Sequence, residues 1–186
     1  MRDEYWHAFF WVFVVASWAF GFAYGRWAGG GGFFLDLGKA VSVPDPSGFG
    51  SWWQPLAYFT LTILAMFVLA QLFFGVGAAI FLFARGVGDS AIILALERIV
   101  QPFPDIQPHD AWMLVIIMLI LAVNLPICIW SAHFGTQRAV YMWRRLRGQP
   151  MKPETVAEPI FNFLIAMAIS IITGIMAAMA FSYSIV

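Results

Sequence analysis

Three histidines, His7, His109 and His133, are the side chains best suited to hold a metal ion or a haem. A membrane haem can take its axial imidazoles from facing helices. In an antiparallel bundle, His7 and His109 fall on one side of the membrane and His133 on the other, so only the first two could pair. Both lie at the margin of an apolar run, and no carboxylate lies inside such a run to complete a metal site. We therefore expect no metal and no cofactor.

Two amides lie within apolar runs, where a polar group needs a partner. Gln71 falls near the middle of a long run and Asn124 falls midway along the next, so the two could meet at similar depth. An interhelical hydrogen bond is the first interpretation, and a polar permeation path is the alternative. Pro126 follows Asn124 by two residues, removes a backbone donor and predicts a kink in that helix.

The most specific pattern is a set of small residues at a spacing of four near the C-terminus. Small side chains at this spacing form a groove along one helix face, which lets the backbone of another helix approach closely. The pattern predicts a packing face, and it does not say whether the partner helix belongs to this chain or to another. The residues are Ala166, Ser170, Gly174, Ala178 and Ser182.

Two further features indicate surfaces. A basic stretch with interleaved aromatic residues follows the third apolar run and predicts a cationic helical extension in the headgroup layer. The first run is rich in aromatic residues, among them Trp11 and Trp18. Simple exposure of these rings to lipid is the first interpretation, and a groove for a lipid, a quinone or a pigment is the alternative. The basic residues are Arg138, Arg144, Arg145, Arg147 and Lys152.

The elements that must position these residues are set by charge. The chain has 186 residues and 20 charged side chains, yet residues 5 to 25, 46 to 84, 111 to 137 and 159 to 186 contain none. Each run reaches the roughly 20 residues that a helix needs to cross a bilayer. Since 62% of the residues are hydrophobic, lipid must be part of the solvent. The sequence predicts an all-α integral membrane protein with four transmembrane helices in an antiparallel bundle.

We expect a single membrane domain over 1–186, with spans at about 5–24, 56–84, 111–132 and 159–183. Asp89 and Ser90 are predicted to cap a short amphipathic interfacial helix over about 90–100, which ends before Pro102. With four spans, the first and third connectors share a side and hold most of the Lys and Arg residues. The positive-inside rule then places both in the cytoplasm, with both termini outside, in a bacterial inner membrane.

The functional prediction follows from what the runs lack. The sequence contains none of the usual catalytic motifs and no carboxylate pair within a span, so we predict no enzyme. The net charge of zero gives no attraction to nucleic acid. We predict a non-catalytic transmembrane subunit of a larger complex for secretion or conjugation, transport or electron transfer, with membrane lipids and other subunits, or copies of itself, as partners. A homo-oligomeric channel or small transporter, and a lipid- or quinone-binding protein, are the alternatives.

Overall fold

The structure is a computed structural model, and it describes the backbone of residues 2–27, 33–41, 49–100, 108–148 and 153–184. Side chains are described in the same ranges except at 2–9, 35, 73, 95, 98–100, 108–110, 153–156 and 184. Within the described ranges every residue is helical except those at 49–52 and 147–148. Over the part of the chain that is described, four helical segments are long and apolar enough to cross a membrane. The prediction of an all-α membrane protein is therefore confirmed.

Seven α-helices, one 3-10 segment and one π segment make up the described parts. In chain order they are α1 (Arg2–Trp27), α2 (Phe33–Val41), α3 (Trp53–Gln71), a 3-10 segment (Leu72–Gly75), α4 (Val76–Val100), α5 (Pro108–Met118), a π segment (Leu119–Asn124), α6 (Leu125–Leu146) and α7 (Pro153–Ser184). The four candidate spans are Trp53–Gln71, Val76–Leu94, Ala111–Leu146 and Ala157–Tyr183.

The predicted span over 56–84 is wrong, because the chain reverses inside it. α3 ends at Gln71, and α4 returns antiparallel to it, so that Gly77 lies against the carbonyl of Leu69. Phe74 and Gly75 form the turn with positive φ values of 54° and 99°. Glycine adopts this conformation without cost, whereas an aromatic residue there is strained. The turn contains no proline and no charge, so the hydropathy pattern does not mark it.

The predicted amphipathic helix over 90–100 is also wrong as a separate element. α4 runs without a break from Val76 to Val100, so Asp89 and Ser90 lie inside a helix rather than at its start. The candidate span on this helix covers Val76–Leu94 and therefore includes Arg85 and Asp89. The expectation that no ionisable side chain lies at bilayer depth fails at these two residues.

α5, the π segment and α6 form one continuous helical rod with a register change in its middle. Pro126 has no N–H group, and in a regular helix its ring would clash with the carbonyl of Ala122. The π segment ends at Asn124, immediately before this position, and inserts the extra residue that such a segment allows. The predicted distortion at Pro126 thus takes the form of a π segment that precedes it.

Glycines bring α1 and α4 into close contact. Gly21 lies against the backbone of Phe83, and Gly86 lies against the carbonyl of Trp18. A Cβ atom at either position would overlap backbone atoms, so both must stay glycine for the helices to approach this closely. The two helices run parallel, since Phe10 lies beside Gly75 at one end and Arg26 forms an ion pair of 3.1 Å with Glu97 at the other.

α3 occupies the centre of the remaining bundle, between α6 and α7. Ser131 of α6 donates a hydrogen bond to the carbonyl of Ile63 at 2.9 Å, and the rings of Phe67 and Phe163 stack at 3.9 Å. Two groups of buried apolar side chains form the core. One lies between α1, α3, α4, α6 and α7, and the other lies between α3, α4, α5 and α7.

The first and third connectors lie at opposite ends of the bundle, which contradicts the grouping used to predict orientation. α1 ends at Trp27, and its Arg26 reaches Glu97 near the C-terminal end of α4. α6 ends at the other side, where Trp143 packs against Phe74 in the turn that precedes α4. The extra reversal between α3 and α4 is the reason for the error.

Candidate functional site

The candidate site is a polar cluster at the centre of the bundle, built around Arg85. This arginine is the middle residue of the 19-residue candidate span Val76–Leu94, and its side chain is 0% exposed. Asp89 lies one turn further along α4 and is also 0% exposed. The two side chains therefore place an opposite charge pair in the region where a bilayer is most apolar.

All three guanidinium nitrogens of Arg85 donate to acceptors. Nη1 donates to Oδ1 of Asn124 at 2.7 Å and to Sγ of Cys128 at 2.9 Å. Nη2 donates to the carbonyl oxygen of Ile120 at 3.3 Å, and Nε donates to Oδ2 of Asp89 at 3.4 Å. The shortest contacts thus go to neutral groups on the rod formed by α5, the π segment and α6.

Asp89 is held from the opposite side by α1. The indole Nε1 of Trp18 donates to Oδ2 of Asp89 at 2.9 Å, which is the same oxygen that Arg85 contacts. One carboxylate oxygen therefore accepts from two helices. Because a hydrogen bond to a charged group is stronger than one between neutral groups, the carboxylate couples the position of α1 to that of α4.

Asn124 links the cluster to α3. Its Oδ1 accepts from Arg85, and its Nδ2 donates to Oγ1 of Thr62 at 3.3 Å. The Thr62 hydroxyl in turn donates to the carbonyl of Tyr58 at 2.8 Å, and the Arg85 guanidinium lies 6.0 Å from the centre of the Tyr58 ring. Asn124 is the last residue of the π segment. The cluster therefore joins four parts of the bundle.

The suggested contact between Gln71 and Asn124 is wrong. Gln71 is the last residue of α3 rather than the middle of a span, and its Nε2 donates to the carbonyl of Phe67 at 3.1 Å within the same helix. Asn124 is fully buried and binds Arg85 and Thr62 instead.

An apolar groove lies next to the cluster, between α1 and the rod. Its volume is about 590 Å³, and Trp11 and Trp18 line it from α1, while Pro126 and Trp130 line it from α6. Trp18 belongs to both features, because its ring faces the groove and its N–H group binds Asp89. A groove therefore lies along the first helix, as in the alternative interpretation of its aromatic residues, and what occupies it stays a prediction.

The small-residue face of α7 packs within this chain. Ser170 donates to the carbonyl of Phe59 at 2.8 Å, and a Cβ atom at Gly174 would meet Leu56 of α3 at 3.1 Å. Ala166 and Ala178 are buried, and the exposed Ser182 donates to the carbonyl of Ala178 within α7. The partner left open by the sequence is therefore α3.

The basic residues after the third run lie on α6 and at its end. Arg138 lies 5.8 Å from the centre of the Phe67 ring, and Arg147 lies 4.5 Å from that of Trp143. Arg145 and Arg147 are exposed, Arg144 is partly exposed, and Lys152 lies outside the described residues. Arginine on an aromatic face suits the headgroup layer.

The histidines do not form a site among the described side chains. His133 stacks on Trp11 with ring centres 5.1 Å apart, and the side chains of His7 and His109 lie outside the described residues. Among the described residues no three His, Cys, Asp or Glu side chains are grouped for metal binding. Cys128 is buried and contacts Arg85.

The sequence interpretation missed Arg85, Asp89, Trp18, Thr62 and Cys128 as one cluster. A signal was present in the length of the charge-free run over 46–84, which has nearly twice the residues that one crossing requires. If the run is divided at Gly75, the second half continues through Arg85 and places it at mid-depth.

Comparison with protein families, curated proteins and solved structures finds no match to any of them.

Proposed function

We propose that this chain is a small membrane transporter in which Arg85 and Asp89 form the working charge pair. The observation that carries the proposal is the position of the pair, fully buried at the centre of a candidate span. Ionisable residues at this depth are costly and commonly belong to proton relays or substrate paths in transporters. A buried charge pair at this depth therefore favours an ion-coupled transporter over a purely structural role.

Stability alone does not account for the pair. Burial of two charges costs several kcal/mol per ion, about as much as their mutual attraction returns, so an apolar pair of similar size would hold the helices equally well. The small-residue contact between α3 and α7 shows that this chain packs helices without charge. Because its burial costs free energy that packing does not require, the Arg85–Asp89 pair is better explained by a role other than packing.

The contacts of Arg85 support a two-state mechanism. In the proposed mechanism a proton is passed through the Asp89 carboxylate, while Arg85 keeps the acceptors of Asn124 and Ile120 on the rod at 2.7 and 3.3 Å. Protonation of Asp89 would weaken its attraction to Arg85, and the guanidinium would still have hydrogen-bond acceptors. The π segment gives the rod a place to change register, a movement that helices use in switching.

Proton movement in reconstituted vesicles tests the proposal. The purified chain is placed in vesicles that contain a pH-sensitive dye, and a mixture of small metabolites from a cell extract is added outside. We expect a change of internal pH that Asp89→Asn reduces at least tenfold. Asp36→Asn, on exposed α2, is the matched control and should behave as the wild type. An equal pH change in empty vesicles, or in Asp89→Asn, contradicts the proposal.

The distribution of basic residues supports one orientation. Among the residues whose backbone is described, the bundle end that carries the Phe74 turn holds five arginines, and the opposite end holds three basic residues. If α1, which runs parallel to α4, crosses the membrane as well as the four candidate spans, the two termini lie on opposite sides. The positive-inside rule then favours the five-arginine end as cytoplasmic, with the N-terminus inside and the C-terminus outside, in a bacterial inner membrane. The five are Arg2, Arg138, Arg144, Arg145 and Arg147, and the three are Arg26, Lys39 and Arg98.

Labelling with a maleimide that cannot cross membranes tests this orientation in intact cells. Lys39→Cys should be labelled without permeabilisation, whereas Arg147→Cys should be labelled only after it. The native Cys128 is buried and provides the background control. The reverse pattern contradicts the orientation.

A second candidate is a non-catalytic subunit of a larger membrane complex, and the end of α6 favours it. Trp143 and Leu146 are 43% and 82% exposed there, beside the exposed Arg145 and Arg147. Aromatic and arginine side chains are enriched in protein interfaces. Purification in mild detergent tests this candidate, because a co-purifying protein should be lost in Arg145→Glu with Arg147→Glu. A monodisperse chain without any such protein contradicts it.

A further inference from the structure

The apolar groove between α1 and α6 has walls that are fixed from behind. Trp18 is held by its hydrogen bond to Asp89, and Trp11 is held by stacking on His133 at 5.1 Å. The floor consists of Leu125 and Ile127, which are 9% and 8% exposed. The volume of about 590 Å³ falls within the range of small-molecule sites, roughly 300 to 1,000 Å³. The groove is thus a preformed cavity rather than a loose gap.

The depth of the groove decides which molecules can reach it. Asn124 lies level with Arg85 at the centre of the candidate spans, and Trp130 lies six residues nearer the five-arginine end, or about 9 Å along a helix. Since the hydrocarbon core is about 30 Å thick, this stretch lies within it. Ala122, Pro126 and Trp130 are exposed on the outer surface, so the groove opens toward hydrocarbon.

The chemistry of the lining excludes recognition of a polar head. The lining side chains are apolar or aromatic, and the Trp18 N–H group is already used by Asp89. A quinone or pigment head would need hydrogen-bond donors that this lining does not direct into the groove. A saturated or unsaturated hydrocarbon chain needs only the flat rings and aliphatic side chains that are present.

We propose that this groove binds one acyl chain of a membrane phospholipid from the leaflet at the five-arginine end. The chain lies between the indole rings of Trp11, Trp18 and Trp130 and reaches to the level of Asn124. The surrounding leaflet supplies the chain directly, and the fixed tryptophans hold it longer than the other lipid-facing surfaces do. The site does not depend on the proposed transport activity.

Photolabelling in nanodiscs tests the site. The full chain is reconstituted with a phosphatidylglycerol that carries a diazirine in one acyl chain, and the labelled peptides are identified by mass spectrometry. We expect labelling within 11–18 and 122–130 to exceed, by at least fivefold for equal exposed area, the labelling of the lipid-facing α3 surface at Leu61, Leu64 and Val68. Uniform labelling over both surfaces overturns the proposal.

Variants that fill the groove sharpen the test. Ala122→Trp places a large ring in the groove from the π segment, and Val15→Trp places one there from α1. If one of the two variants misfolds, the other still provides the test. Each should reduce labelling of the groove at least fivefold. Ile172→Trp, at a 60% exposed position on α7, is the control and should leave it unchanged. Unchanged labelling in a folded groove variant overturns the proposal.

A photo-crosslinking residue at position 15 in native membranes separates a lipid from a protein occupant. We expect adducts with the mass of a phospholipid. Crosslinks mainly to another protein, or to a second copy of this chain, show that a helix covers the groove and overturn the proposal.

Discussion

Two interfaces inside this bundle hold helices together by different means. Between α3 and α7, Gly174 and Ser170 let the backbones approach, and the contact consists of van der Waals packing with one hydrogen bond at 2.8 Å. Between α4, α1 and the rod, Arg85 and Asp89 make the contact through buried charge. The first interface costs no desolvation of charge, whereas the second costs several kcal/mol per ion before any attraction is counted.

Under the proposed function, this difference separates the packing of helices from transport. Small residues are sufficient to associate helices in lipid, and this chain uses them at both the α3–α7 and the α1–α4 contacts. A charge pair adds a property that packing cannot supply, since a carboxylate can change its charge by binding a proton. Variants that make the charged interface apolar, or that crowd the small-residue interface, test this difference.

The largest effect is expected when one member of the charge pair is removed. Arg85→Met leaves Asp89 buried without its cation, and Asp89→Leu leaves Arg85 without its anion. Each should lower the free energy of unfolding by about 3 to 5 kcal/mol, because an uncompensated charge remains in an apolar interior. The free energy of unfolding is measured by titrating the protein with SDS in mixed micelles.

The double variant Arg85→Met with Asp89→Leu is the matched control for these two. Its free energy of unfolding should be higher than that of either single variant and within about 2 kcal/mol of the wild type, since neither member of the pair remains buried as a charge. A double variant as unstable as the sum of the single variants shows that the pair is a structural requirement.

A smaller effect is expected from crowding the other interface. A Cβ atom at Gly174 already meets the Leu56 Cα at 3.1 Å, so Gly174→Leu must push α7 away from α3. We expect a loss of about 2 to 3 kcal/mol in the same SDS titration. Ile175→Leu, at the adjacent exposed position, should stay within about 0.5 kcal/mol of the wild type. Equal effects at the two positions contradict the close contact.

A still smaller loss of stability is expected from a substitution in the α3–α4 turn. Gly75→Ala introduces a side chain at a φ of 99°, with Phe10 and Thr136 each 3.1 Å from the new Cβ atom. The conformational cost of a positive φ predicts a loss of about 1 to 2 kcal/mol. Gly50→Ala, whose Cβ atom would have nothing nearer than 3.9 Å, should change the midpoint of unfolding little. A neutral Gly75→Ala argues against a reversal at this residue.

Removal of the indole donor should have an effect of about 1 kcal/mol. Trp18→Phe keeps an aromatic ring in place but loses the hydrogen bond of 2.9 Å to Asp89. Interhelical hydrogen bonds in membranes contribute about 0.6 to 1.7 kcal/mol, which sets the expected loss in the SDS titration. When Trp18→Phe is added to Arg85→Met with Asp89→Leu, it should cause no further loss of stability, because the acceptor of the hydrogen bond is already absent. A further loss of the same size there would mean that Trp18 stabilises the fold through packing of its ring.

The smallest effect is expected at Gln71. Its amide bonds only the Phe67 carbonyl within the end of α3, and it lies apart from the polar cluster. Gln71→Leu should change the free energy of unfolding by less than about 0.5 kcal/mol and leave proton movement in vesicles unchanged. A loss of proton movement in this variant places a permeation path at Gln71 rather than at Arg85.

The sequence is sufficient for the helical membrane class and for the small-residue pattern of α7, because both depend on local composition and spacing. The α3–α4 reversal is not readable from hydropathy, since Leu72, Phe73 and Phe74 are as apolar as the helices around them. Once that turn is missed, Arg85 falls at a span boundary and looks like an ordinary interfacial arginine. The contacts of Arg85 with Asn124 and of Asp89 with Trp18 join residues 39 and 71 positions apart, which no local pattern encodes.

Proton movement by the double variant Arg85→Met with Asp89→Leu tests the central claim most directly. The stability of this variant should be close to that of the wild type, so the vesicles contain a folded bundle. A folded double variant with at least tenfold less proton movement than the wild type is the predicted result. A folded double variant that moves protons as the wild type does contradicts the assignment of Arg85 and Asp89 as the working site.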